Sequence, residues 1–73
     1  MKIYRAYYDS RSFTFESYSQ SKSSARYHIL NGLKRHGIEY DLPSDWYIID
    51  GHDGIEIDCY DADTPYRDRE KIK

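Results

Sequence analysis

A single stretch of the chain, SKSSARYHILNGLKRHG, carries the apolar period of an amphipathic helix. Ala25, Ile29 and Leu33 recur every four residues, which places them along one side of a helix. Ser21 precedes this stripe and offers a side-chain oxygen to the free N–H groups of a first turn. The pattern predicts a helix over about 21–36. Because no second stretch has this period, the apolar side of the helix has to be covered by strands.

The end of this helix is also marked in the sequence. The basic residues at 34–36 complement the partial negative charge of a last helical turn. Gly37 followed by Ile38 is typical of a helix end, where the glycine takes the left-handed conformation and the next residue makes an apolar contact with the helix. Gly32 lies inside the helix, where glycine costs up to about 1 kcal/mol relative to alanine. We therefore expect the sheet to pack closely against Gly32.

The segments on both sides of the helix have the two-residue period of strands. Residues 1–8 and 13–18 predict an N-terminal hairpin with a polar loop, and residues 46–50 and 55–60 predict a second hairpin around the glycines of GHDG. The order is therefore β-β-α-β-β. The sequence predicts a single small α+β domain in which one helix packs on an antiparallel sheet.

The size of the chain limits what this domain can enclose. A chain of 73 residues buries only about 60% of its unfolded surface, which leaves room for a thin core and little for an enclosed pocket. We expect the domain to span residues 1–62. Residues 63–73 have no clear apolar period and predict a polar tail, either flexible or with at most one weak helical turn.

The cellular compartment is predicted from three features. The single cysteine, Cys59, excludes an internal disulfide and fits a reducing environment. The first residues, MKIYRAYYD, are too polar for a signal peptide, and no apolar run reaches the roughly 18 residues of a membrane span. We expect a soluble protein of the cytoplasm with no membrane association.

The charges of the chain are separated along the sequence. Residues 1–35 contain seven Lys and Arg against two Asp and Glu, whereas residues 36–66 contain nine Asp and Glu and no Lys or Arg. Residues 67–73 are again slightly basic. Such an asymmetry says more about binding partners than about the fold. If the two halves lie on opposite sides of the domain, a negative surface is free to engage a positively charged partner.

The acid-rich stretch DGHDGIEIDCYDAD does not have the pattern of a metal or catalytic site. Read as a calcium loop from Asp50, its third and fifth positions are His52 and Gly54, which cannot both supply the required oxygen ligands. His52 and Cys59 are not expected to converge on zinc. The carboxylates are expected to stay solvated, so no pair has the separated pKa values of a general acid and base. The sequence predicts no metal, no cofactor and no enzymatic activity.

An acidic recognition surface accounts better for this stretch. Ile55, Ile57 and Cys59 are expected to point inward, and their neighbours outward. Outward side chains along a strand repeat every 6.5 to 7 Å or so, close to the phosphate spacing of a nucleic-acid strand. Such a surface could occupy the basic channel of a nucleic-acid-handling protein. The predicted partner-binding residues are Asp50, Asp53, Glu56, Asp58, Tyr60, Asp61 and Asp63.

Two alternatives remain open. The first is a nucleic-acid-binding module, in which cations interleaved with tyrosines would contact phosphates and stack on bases; its residues are Arg5, Lys22, Arg26, Lys34 and Arg35. The acidic half of so small a domain lies within a Debye length or two and weakens direct binding of nucleic acid. The second is a homodimer, in which the basic half of one copy meets the acidic half of the other.

In build, the chain resembles the small accessory proteins encoded by bacteriophages. Its length, its nine tyrosines, its lone cysteine and its β-β-α-β-β order with SKSSARYHILNGLKRHG as the only helix are similar to those of anti-CRISPR proteins. The resemblance implies a non-enzymatic inhibitor that binds a Cas protein in the cytoplasm of a bacterial host through an acidic surface. It rests on overall build, so no residue role is transferred. One departure is the near-neutral total charge, which argues for a local acidic patch against a basic groove.

Overall fold

The computed structural model describes residues 1–72 and confirms the predicted α+β fold, with one helix packed against an antiparallel sheet. The order β-β-α-β-β runs through the fourth strand, and a short fifth strand follows it. The elements are β1 (Lys2–Asp9), β2 (Thr14–Ser19), α1 (Lys22–Glu39), β3 (Glu56–Asp61), β4 (Tyr66–Arg67) and β5 (Glu70–Lys71). The main sheet has the order β2-β1-β3, and β4 and β5 form a separate two-stranded sheet.

The core lies between the central strand β1 and helix α1. Alternation along β1 turns Ala6 and Tyr8 toward the helix, where both are buried. From the helix, Ala25, Ile29 and Leu33 join the buried cluster, as the apolar period predicts. The helix contacts β1 and β2 far more extensively than β3. Strand β3 is therefore only partly covered on the side of the sheet that faces the helix.

The helix begins as expected and ends later than expected. The Ser21 side chain accepts a hydrogen bond from the Ser24 backbone N–H at 3.1 Å, which caps the first turn. At the other end, the helix continues through Gly37 to Glu39, and the left-handed conformation is taken by Asp41 (φ 55°). The predicted stop at Gly37 is therefore wrong.

Gly37 is in close contact with the Trp46 ring, and this contact explains why a glycine stands here although the helix does not end. A methyl group at residue 37 would lie 2.9 Å from Trp46 Cδ1, so only glycine leaves room for the indole. At Gly32, in contrast, no atom of residues 1–72 outside the adjacent helix backbone lies within 4 Å of where a Cβ would be. The prediction of close packing at Gly32 is wrong, and the glycine that permits close packing is Gly37.

The predicted strand at residues 46–50 is not formed. These residues are turns, with an isolated bridge between Ile49 and His52. Trp46 turns toward the helix, where its indole N–H donates to the Leu33 backbone carbonyl at 2.8 Å. Burial against the helix thus outweighs the strand propensity of this segment. Its expected hairpin partner, β3, pairs with β1 instead.

Residues 66–71 form a hairpin in the segment predicted to be a polar tail or one helical turn. The hairpin contacts the main sheet through side chains. The Asp61 backbone N–H donates to the Tyr66 hydroxyl at 2.6 Å, and the rings of Tyr60 and Tyr66 meet edge to face with centroids 4.9 Å apart. These contacts join the C-terminal hairpin to β3.

Candidate binding surface

The predicted acidic residues of β3 alternate as the sequence indicates. In the antiparallel register, Glu56 lies opposite Tyr7, and Asp58 lies opposite Arg5. These residues occupy the face of the sheet that points away from the helix, because their neighbours on β1 alternate with the buried Ala6. The predicted outward direction of Glu56 and Asp58 is therefore correct. The carboxylates of β3 are not free, however, because other side chains of the protein surround them.

Cations of the chain's own basic segments pair with three of the predicted partner-binding carboxylates. Asp58 lies 3.7 Å from Arg5 and 3.8 Å from Arg69. Asp61 pairs with Lys2 at 3.4 Å and also with Lys71, while Asp53 pairs with Arg26. The expectation that acids and cations occupy opposite sides of the domain is therefore wrong.

Acids and cations lie side by side because β1 pairs with β3. This antiparallel register sets Lys2 opposite Asp61 and Arg5 opposite Asp58. Opposite charges on directly paired residues stabilise an antiparallel sheet. Charges that are far apart along the sequence are thus neutralised by contact. Accordingly, hydrogen bonds and charge from Lys71 and Lys2 hold the pKa of the Asp61 carboxyl below its usual range.

Glu56 and Tyr60 also have partners within the chain. The Tyr7 hydroxyl donates to the Glu56 carboxylate, which raises the pKa of Tyr7, and accepts a hydrogen bond from Arg69 at 2.7 Å. The Tyr60 hydroxyl donates to Asp58 at 3.2 Å. Of the predicted set, only Asp50 and Asp63 form neither an ion pair nor a side-chain hydrogen bond among the described residues 1–72.

Arg5 is the centre of this face. Its guanidinium donates to Glu16 at 2.7 Å and lies over the Tyr7 ring, 4.4 Å from the centroid. The Arg5 side chain is only 17% exposed, and its Nε has no hydrogen-bond partner among residues 1–72. The hydrogen bond from Arg5 lowers the pKa of Glu16. Arg5 therefore holds the sheet together and is not available to a phosphate.

The residues predicted for the alternative, nucleic-acid binding, also fall into two groups: some are paired with carboxylates of the chain and some are not. Arg26 is held by Asp53, as Arg5 is held by Glu16. Lys22, Lys34 and Arg35 form no ion pair among residues 1–72. Twelve residues separate Lys22 from Lys34, which is about 18 Å along a helix. The three free cations of the set therefore do not converge on one site.

Cys59 is exposed, although the sequence predicts an inward residue. It lies opposite Tyr4 in the register, on the helix side of the sheet, and the helix does not reach over that part of β3. Among the described residues, no group of three or more His, Cys, Asp and Glu side chains could hold a metal ion.

A surface that the sequence did not predict lies in the long connection between α1 and β3. We define the connection surface as residues 38–50, which comprise the last two residues of α1 and the first part of the connection. It exposes five large apolar side chains, of which Ile38 (82%) and Ile49 (68%) are the most exposed; the others are Tyr40, Leu42 and Ile48. Its four carboxylates form no ion pair within residues 1–72: Glu39, Asp41, Asp45 and Asp50.

A groove lies where this connection folds back against the end of the helix. Its volume is about 290 Å³, and its walls are formed by Lys34, Gly37, Ile38, Leu42, Pro43 and Trp46, with Ser44 at one side. The Leu42 backbone N–H donates to the Gly37 carbonyl at 2.7 Å, and the Trp46 backbone N–H donates to the Pro43 carbonyl at 3.0 Å. These backbone hydrogen bonds fix the shape of the groove.

An aromatic cluster supports the same region from the side of β2. The His36 ring is surrounded by four aromatic rings with centroids between 4.5 and 5.2 Å away, those of Phe13, Phe15, Tyr40 and Trp46. Two of these side chains, Phe13 and Tyr40, are about half exposed. The cluster therefore extends the exposed apolar area beyond residues 38–50. The sequence signal that could have found this region is IEYDL, in which apolar and acidic residues alternate after the helix.

No protein family, curated protein or solved structure matches this chain. The single helix among residues 1–72 lacks the apolar length that crossing a bilayer requires.

Proposed function

We propose that the chain is a non-enzymatic binding module that engages a basic protein through its connection surface. One observation carries the proposal: residues 38–50 combine exposed apolar side chains with four carboxylates that no cation of the described chain compensates. The carboxylates of β3, in contrast, are largely engaged within the domain. The proposal keeps the acidic recognition predicted from the sequence and moves its centre from β3 to the connection.

The two features of the connection surface have different roles in binding. Exposed apolar side chains that lie together mark interaction sites, because burying them in a complex is favourable. Carboxylates at their rim attract a basic surface and exclude an acidic one, which gives speed and specificity. A nucleic-acid-handling protein, such as a CRISPR-Cas effector, is the partner class that the resemblance to anti-CRISPR proteins suggests.

Direct binding of nucleic acid is the second candidate. It is supported by Lys22, Lys34 and Arg35, which have no ion-pair partner among the described residues. A gel-shift titration at low salt distinguishes the two candidates. The proposal predicts no complex with free DNA or RNA, whereas a nucleic-acid-binding module would give a complex that weakens steeply as salt is added.

The proposal is tested by affinity capture from native cells with two double variants. Glu39→Lys with Asp45→Lys reverses two charges of the connection surface, and Asp68→Lys with Glu70→Lys makes the same change in net charge in the C-terminal hairpin. We expect the first variant to lose a basic protein that the wild type and the second variant retain. Equal loss from both variants, or retention by both, would contradict the assignment of the connection surface.

A further inference from the structure

We infer that the groove between the end of α1 and the connection receives one apolar side chain, of leucine or phenylalanine size, that is flanked by Lys or Arg on the partner. This inference rests on the proposed function and deepens it. It assigns the groove as the anchor point of the complex and the carboxylates around it as the contacts for the flanking cations.

The size of the groove fits a side chain better than a small-molecule ligand. Its volume of about 290 Å³ lies at the lower end of ligand pockets, which start at about 300 Å³. A cavity of about 150 Å³ with apolar walls accommodates benzene. One leucine or phenylalanine side chain therefore fits, while the open side of the groove leaves space for the backbone that carries it.

The walls of the groove are fixed before any partner arrives. The Trp46 indole is held by its hydrogen bond to Leu33, and its ring packs edge to face on Tyr8 with centroids 5.8 Å apart. Gly37 allows the indole to lie directly on the helix. A groove that needs no rearrangement binds its occupant with a smaller cost in ordering, because its own side chains are already in place. Such preformed apolar pockets are where interface hot spots concentrate.

The charges around the groove select a basic flank on the occupant. Glu39, Asp41 and Asp45 are exposed, and each lies next in sequence to a residue that lines the groove. Lys34 is the one cation of the lining. None of these three carboxylates forms an ion pair within residues 1–72, and the lining contributes a single ammonium group. A cation on either side of the inserted side chain gains a partner, and an acidic flank meets repulsion.

Trp46 is the only tryptophan of the chain, so its fluorescence reports occupancy of the groove directly. The probes are a short peptide with a central leucine between runs of Lys and Arg, the same peptide with a central serine, and an acidic peptide with a central leucine. We expect the basic leucine peptide to shift the Trp46 emission and to bind at least about tenfold more tightly than the serine peptide. Burial of a leucine side chain is worth about 1.5 to 3 kcal/mol, and about 1.4 kcal/mol is tenfold in affinity.

Two serine substitutions distinguish the contribution of the groove to peptide binding from that of the rest of the connection surface. Ile38 lines the groove and Ile49 does not; both are largely exposed, so neither change threatens folding. We expect Ile38→Ser to remove the preference for the leucine peptide and Ile49→Ser to retain it. Leu42→Ser is a second variant of the groove lining with the same expected effect, and circular dichroism verifies the fold of each variant.

The other outcomes each contradict a defined part of the inference. Equal binding of the leucine and serine peptides at the connection surface overturns the anchor groove and leaves the proposed function standing. Equal binding of the acidic leucine peptide overturns the charge selection. Absence of binding by any peptide contradicts the inference, whereas the proposed function is contradicted only by the affinity capture described above.

A second copy of this chain is the competing occupant. The sequence KIK at residues 71–73 places Ile72 between two lysines, and Ile72 is about half exposed. Sedimentation of the wild type and of Ile72→Ser examines this occupant. Self-association of the wild type that Ile72→Ser abolishes would assign the groove to a second copy and overturn the assignment to a separate partner. A wild-type monomer supports the separate partner.

Discussion

The indole N–H of Trp46 donates a hydrogen bond to the backbone carbonyl oxygen of Leu33 at 2.8 Å. This contact ties the long connection to the middle of the helix and turns the large ring inward. Tyr47 beside it is buried in the core, whereas the other large apolar side chains of residues 38–50 remain on the outside. The exposed surface of residues 38–50 is therefore a consequence of how the connection is anchored to the helix.

Alanine at the two helical glycines should change stability in opposite directions. Gly37→Ala places a methyl group 2.9 Å from the Trp46 ring, which cannot move easily because Tyr8 and His36 pack against it. We expect a loss of about 1 to 3 kcal/mol, the usual effect of overpacking. Gly32→Ala meets no atom and should gain up to about 1 kcal/mol from helix propensity. Urea unfolding measures both, and a stabilising Gly37→Ala would contradict the packing at Trp46.

Arg69 should control the attachment of the C-terminal hairpin. Its guanidinium donates to the Tyr7 hydroxyl and pairs with Asp58, whereas Arg67 forms no ion pair within residues 1–72. We expect Arg69→Ala to accelerate amide hydrogen exchange in residues 66–71 and leave α1 protected. Arg67→Ala is the matched control and should leave exchange unchanged. Similar exchange in the two variants would show that Arg69 does not hold the hairpin.

Charge reversal on β3 should impair folding. Asp58→Lys would place an ammonium group beside Arg5 and Arg69, and the Arg5 side chain is too buried for water to screen the repulsion fully. We expect a loss of about 2 kcal/mol, within the usual range for a broken charge network. Asp45→Lys, an exposed and unpaired position, should change stability by less than about 0.5 kcal/mol. Equal effects in urea unfolding would indicate that Asp58 is as free as Asp45.

Acid should destabilise the domain through Asp61. Its pKa in the folded state lies below the ordinary value of 3.8 because of hydrogen bonds and charge from Lys71 and Lys2. Since the unfolded state then binds protons more readily, the stabilisation is present above the ordinary pKa and is lost as pH falls through the lowered one. We expect Lys71→Met combined with Lys2→Met to raise the Asp61 pKa and to weaken the dependence of stability on pH in the acid range. An NMR titration of the carboxyl group measures the first effect, and an unchanged Asp61 pKa in the variant would contradict the ion pairs.

Local patterns were sufficient to predict the helix, the first hairpin, β3 and the outward direction of Glu56 and Asp58. They were insufficient to predict the sheet order. The pairing of β1 with β3 joins residues that are 49 to 59 positions apart, and no local period shows which strand pairs with which. That pairing decides whether Asp58 and Asp61 are free or compensated. The candidate site was therefore misplaced by the tertiary register, although each strand was recognised.

The connection was misread for a related reason. Residues 46–50 have the composition of a strand, but Trp46 gains more from packing on Gly37 and Tyr8 than from a strand ladder. Once this segment is not a strand, Ile48 and Ile49 have no sheet to pack on and remain exposed. The binding surface thus follows from a tertiary contact that overrides local propensity.

Chemical-shift mapping with the basic leucine peptide tests the central claim most directly. The nitrogen-labelled protein is titrated with the peptide, and the backbone amide shifts are assigned along the chain. If the free recognition surface is the connection, the largest shifts will fall within residues 38–50 and the amides of β3 will change little. Shifts centred on residues 56–61, with the connection unaffected, would contradict the claim and return the site to β3.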